Sequence, residues 1–338
     1  MFQNGLFDTE IRLAELSEAG DPLERLKQVV DWELFREDLS VIRHIERKSK
    51  AGRKPYDVVL MFKILILGTL YNLGDDSLEF QIRDRLTFMR FLGLSLGDRV
   101  PDAKTIWLFR DQLIHAGLAK PLFERFSAYL QSNGFRARKG QIVDASLVSV
   151  PVQRNTREEN QQIKEGNPPQ QWSDAKRCQK DTDARWTKKN QKSYFGYKNH
   201  ICVDAKHKII RDYVVTDASV HDSQVFDELL DDANTSRDVW ADSAYRSKIH
   251  LQMLSERGFR EHIQRKGKRN QPLSPREKQG NRTRSRIRSR VEHVFGIQAQ
   301  IAGQTMIRAI GKARVAAMIG FRNLAYNLHR YSRVLQTS

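Results

Sequence analysis

Residues 141–148 read Gln-Ile-Val-Asp-Ala-Ser-Leu-Val and follow Gly140. The apolar and β-branched residues of this stretch predict a strand buried in a sheet. Asp144 interrupts the pattern, and an unpaired buried carboxylate costs on the order of several kcal/mol. Asp144 therefore needs a metal ion, a cationic partner or several hydrogen-bond donors. A hydrogen-bonded structural aspartate is the alternative.

Further strands are predicted on the carboxyl-terminal side of this stretch. They cover residues 194–203, 208–216, 238–242 and 260–263. The first two form a hairpin that turns at residues 204–207, and helices are predicted to open at His221 and to cover 245–258. Strands that alternate with helices in this order predict an α/β domain, with a mixed sheet flanked by helices.

The N-terminal region reads differently, because its apolar residues follow helical spacing. A helix is predicted to be buried over residues 58–70, a second to run from 78 to 92, and a third to run from 101 to 113. Short helices with tight connections predict an all-helical, helix-turn-helix-like domain over residues 1–135, for DNA binding or dimerisation. A helical bundle without a ligand shows the same pattern, so both readings stay open. Residues 139–335 then form the second domain, with a polar insertion at 153–192, predicted as a long loop or a partly disordered insertion.

The net charge of +17 is concentrated near the end of the chain. Residues 264–338 contain 17 Lys and Arg against two acids, Glu277 and Glu292. Such a field attracts polyanions and is typical of nucleic-acid-binding proteins, with a solvated basic tail as the alternative. A basic linker is predicted to lead from 264 to 282 into a helix that ends at Ile301. Within the basic segment 264–290 the candidate DNA-binding residues are Lys266, Arg269, Arg284, Arg286 and Arg288.

Two more carboxylates accompany Asp144. Asp242 closes a predicted strand at its carboxyl end, where open α/β sheets place their ligands. Glu292 lies four residues after Arg288, on the same helix face. A helix cap for Asp242 and a simple Arg288–Glu292 ion pair are the alternatives. Three carboxylates suit Mg²⁺ or Mn²⁺, and two such ions about 4 Å apart can activate water for phosphodiester cleavage.

Other classes of protein are excluded by what the sequence lacks. Two cysteines cannot make a disulfide framework, which points to a reducing compartment. The longest apolar stretch, 58–67, is interrupted by Lys63 and is too short for a membrane span. No histidine pair has zinc-site spacing, and no P-loop or dinucleotide-binding motif is present. We expect a cytoplasmic protein with no membrane partner.

The chain resembles bacterial insertion-sequence transposases of the DDE type, most closely the IS Five group, over roughly residues 40–330. The segments that carry the resemblance are Ile142-Val-Asp-Ala-Ser146, Asp183-Ala-Arg-Trp-Thr187 with Tyr194-Phe-Gly-Tyr-Lys-Asn-His200, Thr216-Asp-Ala-Ser-Val-His-Asp-Ser223, Ala241-Asp-Ser-Ala-Tyr245 and Arg288-Ser-Arg-Val-Glu292.

This resemblance implies an RNase H-like catalytic domain whose three metal-binding acids are Asp144, Asp242 and Glu292. It implies Mg²⁺ or Mn²⁺, in two ions, as cofactor, and the element's terminal inverted repeats and target DNA as double-stranded DNA partners. The implied reaction cleaves DNA to a 3′-OH that then attacks the target. By the same analogy the chain is a homodimer or higher assembly on DNA, in the bacterial nucleoid.

The resemblance also assigns DNA-facing roles to Lys198 and His200, with a strand-edge lysine and a packed histidine as the alternative. The family's signature has a tyrosine and a lysine where this chain has Ser285 and Ala299. DNA contacts made by that tyrosine and lysine are therefore not expected here. Two other functions stay open: a DNA-binding protein without catalysis, such as a repressor or a domesticated transposase, and a metal-dependent nuclease that does not join strands.

Overall fold

The computed structural model describes residues 7–43, 54–189, 191–269, 271–301 and 306–335. Their contacts divide the chain into two units. One unit contains the N-terminal helices as far as Phe126 and the end of the chain from Phe321. The other contains Ser127–Gln300 and Gln304–Gly320. This division differs from the predicted boundary near residue 135, because the last turns of the final helix pack in the first unit: the rings of Phe126 and Tyr331, for example, lie 5.9 Å apart.

Eight helices precede the sheet in the described residues. They are α1 Asp8–Glu18, α2 Pro22–Val29, α3 Arg36–Ser40, α4 Val58–Leu70, α5 Asp75–Asp84, α6 Leu86–Leu92, α7 Ala103–His115 and α8 Ala119–Ser132. Helix α4 is the predicted buried helix, and its N-terminus is capped by the Asp57 carboxylate, which accepts hydrogen bonds from the N–H groups of Val59 and Leu60.

The predicted single helix over 78–92 is wrong, since the chain breaks at Arg85 into α5 and α6. Arg85 has extended backbone angles. A continuous helix would place Phe91, nine residues after Ile82, about half a turn away from it. The break lets both side chains reach the core, where each is fully buried.

The sheet has six strands: β1 Gln141–Ser149, β2 Arg185–Lys189, β3 Lys192–Asp204, β4 Ile210–Asp217, β5 Asp238–Ala241 and β6 Arg260–Ile263. Strand β1 pairs antiparallel with β3 and parallel with β5, which pairs parallel with β6. Strand β4 pairs antiparallel with β3, and β2 adds to the outer edge of β3. Without β2 the order is β4-β3-β1-β5-β6 with only β3 reversed, which is the RNase H-like topology. The predicted fold class is confirmed.

Gly140 permits the central pairing of β1 with β5. Its φ is +81°, and a Cβ atom there would lie 2.4 Å from the carbonyl oxygen of Asp238. Only glycine tolerates this approach. The close contact fixes the register in which Gln141 pairs with Val239 and Ile142 with Trp240.

The polar insertion at 153–192 is not the long loop that we predicted. It contains α9 Arg157–Lys164, α10 Asp174–Cys178 and strand β2. Thr156 and Glu159 form a capping box at the start of α9. Trp172 is buried and donates a hydrogen bond from its indole nitrogen to Glu159 at 2.7 Å. Local capping and one buried aromatic side chain therefore order the segment.

The remaining helices are α11 Lys248–Glu256, α12 Pro275–Ile301 and α13 Lys312–Val334. Helix α12 starts earlier than predicted, because Ser274 and Glu277 form a reciprocal cap around Pro275. The helix predicted at His221 is only a 3-10 turn, Asp222–Val225. No single described helix is long and apolar enough to cross a membrane, although α4 and α5, bent by 103°, pass such a test together by length and composition.

Candidate active site

Asp144 lies where β1 and β5 separate. The last paired residues of these strands are Ile142 and Trp240, and Asp144 follows Ile142 by two residues. Its side chain is 15% exposed and accepts a hydrogen bond from the N–H of Ala145 at 2.8 Å. Burial raises the pKa of Asp144 above its ordinary value, although the Arg288 charge opposes the shift. The carboxylate therefore sits in a poorly solvated place and interacts strongly with any nearby cation.

Asp242 occupies the equivalent position on the neighbouring strand, two residues after Trp240. It has extended backbone angles, and its carboxylate accepts a hydrogen bond from the N–H of Ala244 at 2.7 Å. Asp144, within β1, and Asp242, directly after β5, thus follow the last strand pair by the same number of residues, so we infer that they lie next to each other. Their proximity also appears in the electrostatics, since the Asp242 charge contributes to the raised pKa of Asp144.

Glu292 reaches the same place from α12 and meets Asp144 through Arg288. The Arg288 guanidinium donates to Asp144 Oδ2 at 2.6 Å and to Glu292 Oε1 at 3.0 Å. Val291 and Val294 are fully buried and anchor this part of α12 in the core. Glu292 itself is 61% exposed. The Arg288–Glu292 ion pair given above as an alternative is therefore present, and Arg288 also pairs with a strand carboxylate.

Tyr245 is a neighbour of the acids for which we predicted no role from the sequence. It is fully buried, its ring lies 5.1 Å from that of Phe226, and its hydroxyl finds no hydrogen-bond partner among the described residues. Burial, with the charges of Asp144, Asp222 and Asp242, raises its pKa well above the ordinary value. The three-residue spacing from Asp242 to Tyr245, across a short 3-10 turn, is the signal that could have revealed it.

Lys198 and His200 lie two residues apart on β3, and both side chains have partners within the protein. The Lys198 ammonium donates to the carbonyl of Val220 at 2.6 Å and pairs with Asp222 at 2.8 Å. The His200 ring is fully buried and is bonded to the Thr216 hydroxyl at 2.9 Å. That hydroxyl donates to the Asp217 carbonyl, so it accepts from His200 Nε2.

Burial lowers the pKa of His200 to about 4, which keeps the ring neutral at physiological pH. The burial of His200 matches the packed-histidine alternative given above, and Lys198 has Asp222 as its partner. The DNA-facing role of these two residues stays a prediction.

The other basic candidates lie nearer the surface. Lys266, Arg269 and Arg286 are exposed, and Arg284 is half-buried beside Asn281. Glu277, one of the two acids in residues 264–338, is paired with Arg265. The exposed cations are therefore left to interact with an external anion, as the charge distribution predicts.

Asp144, Asp242 and Glu292 have the oxygen ligands that a hard divalent cation prefers, but their present arrangement does not form a metal-binding site. Carboxylate oxygens are the ligands that Mg²⁺ and Mn²⁺ prefer. Among the described residues, however, no group of three His, Cys, Asp or Glu side chains is arranged to hold a metal ion. Asp144 and Glu292 instead share the Arg288 guanidinium as a partner.

Comparison with known proteins gives two family matches. Residues 136–328 match the family described as Transposase DDE domain, and residues 11–112 match the one described as Transposase domain (DUF772). Among solved structures, a piggyBac transposase synaptic complex with hairpin DNA is similar over 94% of this chain and 76% of that chain. That similarity is at 12% identity with a TM-score of 0.46.

Proposed function

Because the chain belongs to the DDE transposase family and is therefore a DNA transposase, we propose that it moves its own mobile element by cutting and joining DNA. In this proposal it binds the element's terminal inverted repeats, cleaves the DNA to a 3′-OH, and joins that end to target DNA. We assign it to the IS Five group on the motifs given above.

We propose Asp144, Asp242 and Glu292 as the catalytic acids. The observation that carries this assignment is that Asp144, within β1, and Asp242, directly after β5, each follow the last strand pair by two residues. Glu292 is joined to Asp144 through the Arg288 guanidinium. All three lie within the matched DDE domain. A partly buried carboxylate with a raised pKa, beside a second carboxylate, is typical of functional sites.

The family generally uses divalent metal ions. We propose Mg²⁺ or Mn²⁺, in two ions, as the cofactor of this chain, held by the three acids once Arg288 has left its place between Asp144 and Glu292. In the arrangement described here, the acids contact other residues of the chain. Arg288 pairs with Asp144 and Glu292, and the charges of Asp144 and Asp242 contribute to the raised pKa of the buried Tyr245.

The DNA-binding surface that we propose is the basic segment with the exposed start of α12. Lys266, Arg269, Arg284 and Arg286 would contact phosphates, while Arg288 lies between this surface and the acids. We propose that the helical region within residues 1–135 contributes DNA binding or dimerisation, and that the active assembly is a homodimer or larger.

A strand-transfer assay tests joining separately from cutting. A duplex of the element end with a preformed 3′-OH is incubated with the protein, Mg²⁺ and a plasmid target. We expect plasmid-linked product, and none from Glu292→Gln at equal DNA binding. Cleavage of uncut element ends without any joined product would instead identify a nuclease.

A further inference from the structure

We propose that Arg288 closes the acid site to metal ions in the DNA-free protein and that a DNA phosphate opens it by taking the guanidinium. Metal loading then depends on the substrate. This inference rests on the proposed function, since it takes Asp144 and Glu292 as catalytic acids.

The first argument is the position of the guanidinium. It spans two carboxylates, with 2.6 Å to Asp144 Oδ2 and 3.0 Å to Glu292 Oε1. The remaining oxygen of Asp144 accepts the N–H of Ala145. A divalent ion at this place would need the same oxygens and would meet a like charge. Arg288 and a metal ion therefore compete for one location.

The second argument is that Arg288 is held incompletely. Its Nε is buried without a hydrogen-bond partner among the described residues, although an arginine offers five donors. One of its two partners, Glu292, is 61% exposed, and an exposed ion pair contributes little. Only the Asp144 contact, where the side chains are 22% and 15% exposed, is well sheltered.

The third argument is the alternative partner. A phosphate accepts two parallel hydrogen bonds from a guanidinium, which matches the fork that Arg288 now offers to two carboxylates. Arg288 is one helical turn from Arg284, at the end of the segment proposed to hold DNA. A phosphate bound there can take the guanidinium, and the acids are then left as an uncompensated anionic site for a cation. Linkage requires the coupling to be mutual, so a metal ion in turn favours DNA binding.

The experiment measures Mn²⁺ affinity of the full-length, DNA-free protein, following free Mn²⁺ by electron paramagnetic resonance. Arg288→Ala is compared with Arg286→Ala, which removes the same charge from the same helix without touching the acids. We expect about tenfold tighter Mn²⁺ binding for Arg288→Ala than for wild type or Arg286→Ala, the size of one charge-assisted hydrogen bond. Arg288→Gln, which keeps the side-chain stem, serves as a second variant if the alanine form folds poorly.

Two further arms locate the ion and test the phosphate. Adding Asp144→Asn to Arg288→Ala should abolish the gain, because the ion binds at the acids. Adding a duplex oligonucleotide should increase Mn²⁺ affinity more in wild type than in Arg288→Ala, each measured against its Asp144→Asn counterpart to subtract ions held by the DNA.

Equal Mn²⁺ affinities for Arg288→Ala and Arg286→Ala would overturn this inference. It would leave the proposed function standing as long as Asp144→Asn abolishes cleavage. Cleavage by Asp144→Asn at the wild-type rate would instead remove the proposed function, whatever the metal affinities.

Discussion

Asp144 and Asp242 occupy equivalent positions on two adjacent parallel strands, each two residues beyond the last pair, Ile142 with Trp240. Residues far apart in sequence are thereby brought side by side by backbone register alone. Gly140 secures that register, because a side chain there would collide with Asp238. The relative placement of Asp144 and Asp242 is therefore a property of the central sheet, and Glu292 of α12 is joined to Asp144 through Arg288.

The exposed arginines of α12 should contribute a measurable electrostatic share of DNA binding. For Arg286→Ala we expect weaker binding and a salt dependence whose slope in log K against log[salt] falls by about one. Arg257→Ala is the control, since Arg257 is already paired with Asp227 and Asp232. An unchanged slope for Arg286→Ala, measured by fluorescence anisotropy, would mean that this residue does not touch a phosphate.

Tyr245→Phe should lower cleavage activity without lowering the stability of the protein. Its buried hydroxyl has no hydrogen-bond partner among the described residues, so removing it should leave the melting temperature unchanged or slightly raised. If the hydroxyl orients the acids or their ligands, cleavage should fall by about tenfold or more. Full cleavage activity in a variant of normal stability would show that Tyr245 only fills space.

The buried Lys63 should lower the stability of the helical unit at neutral pH. It is 8% exposed in α4, between the rings of Trp32 and Phe91, and burial lowers its pKa from 10.5 to about 8. Because the pKa of Lys63 is lower in the folded protein than in the unfolded chain, the unfolded chain binds the proton more tightly. The fold is therefore most stable above the unfolded-state pKa, and stability is lost as the pH falls towards the folded-state pKa of about 8.

Lys63→Met should therefore raise the free energy of unfolding at neutral pH by about 1–3 kcal/mol, after the lost cation–π contacts are subtracted. The gain should shrink as the pH rises from 8 to about 10.5. Lys104→Met, at an exposed position of α7, is the control. A gain that does not change over this pH range would contradict the account.

Asp181 should be a structural aspartate whose loss is severe. It is 2% exposed and accepts hydrogen bonds from the Tyr197 hydroxyl at 2.8 Å and from the N–H groups of Ala184 and Gly311 at 2.9 and 3.1 Å. Asp181→Ala leaves these buried donors unsatisfied, and we expect a loss of at least about 3 kcal/mol in chemical denaturation.

Asp183→Ala is the matched control for Asp181. This neighbouring, exposed aspartate caps the first residue of α13, Lys312, at 2.9 Å, so its loss should cost only about 1 kcal/mol. Similar losses for the two variants would show that Asp181 does not tie these segments together.

The sheet could be predicted from the sequence, and Asp144 and Asp242 could be singled out, because each leaves a local signal. Apolar stretches with a misplaced carboxylate at 144 and at the end of 238–242 predicted where β1 and β5 meet. The sequence could not predict that Arg288 binds Asp144 as well as Glu292, since that contact joins residues 144 positions apart. Nor could it choose between an exposed and a buried His200, because strand alternation does not say which face another element covers. The break at Arg85 likewise depends on tertiary packing rather than on helix propensity.

The most direct test of the central claim is cleavage of an element end in Mg²⁺ by Asp242→Asn, with end binding measured in the same preparation. We predict that cleavage is lost and that end binding stays close to wild type, because the variant removes an acid beside Asp144 and leaves the basic surface intact. Mg²⁺-dependent cleavage by Asp242→Asn at the wild-type rate would contradict the assignment of these acids.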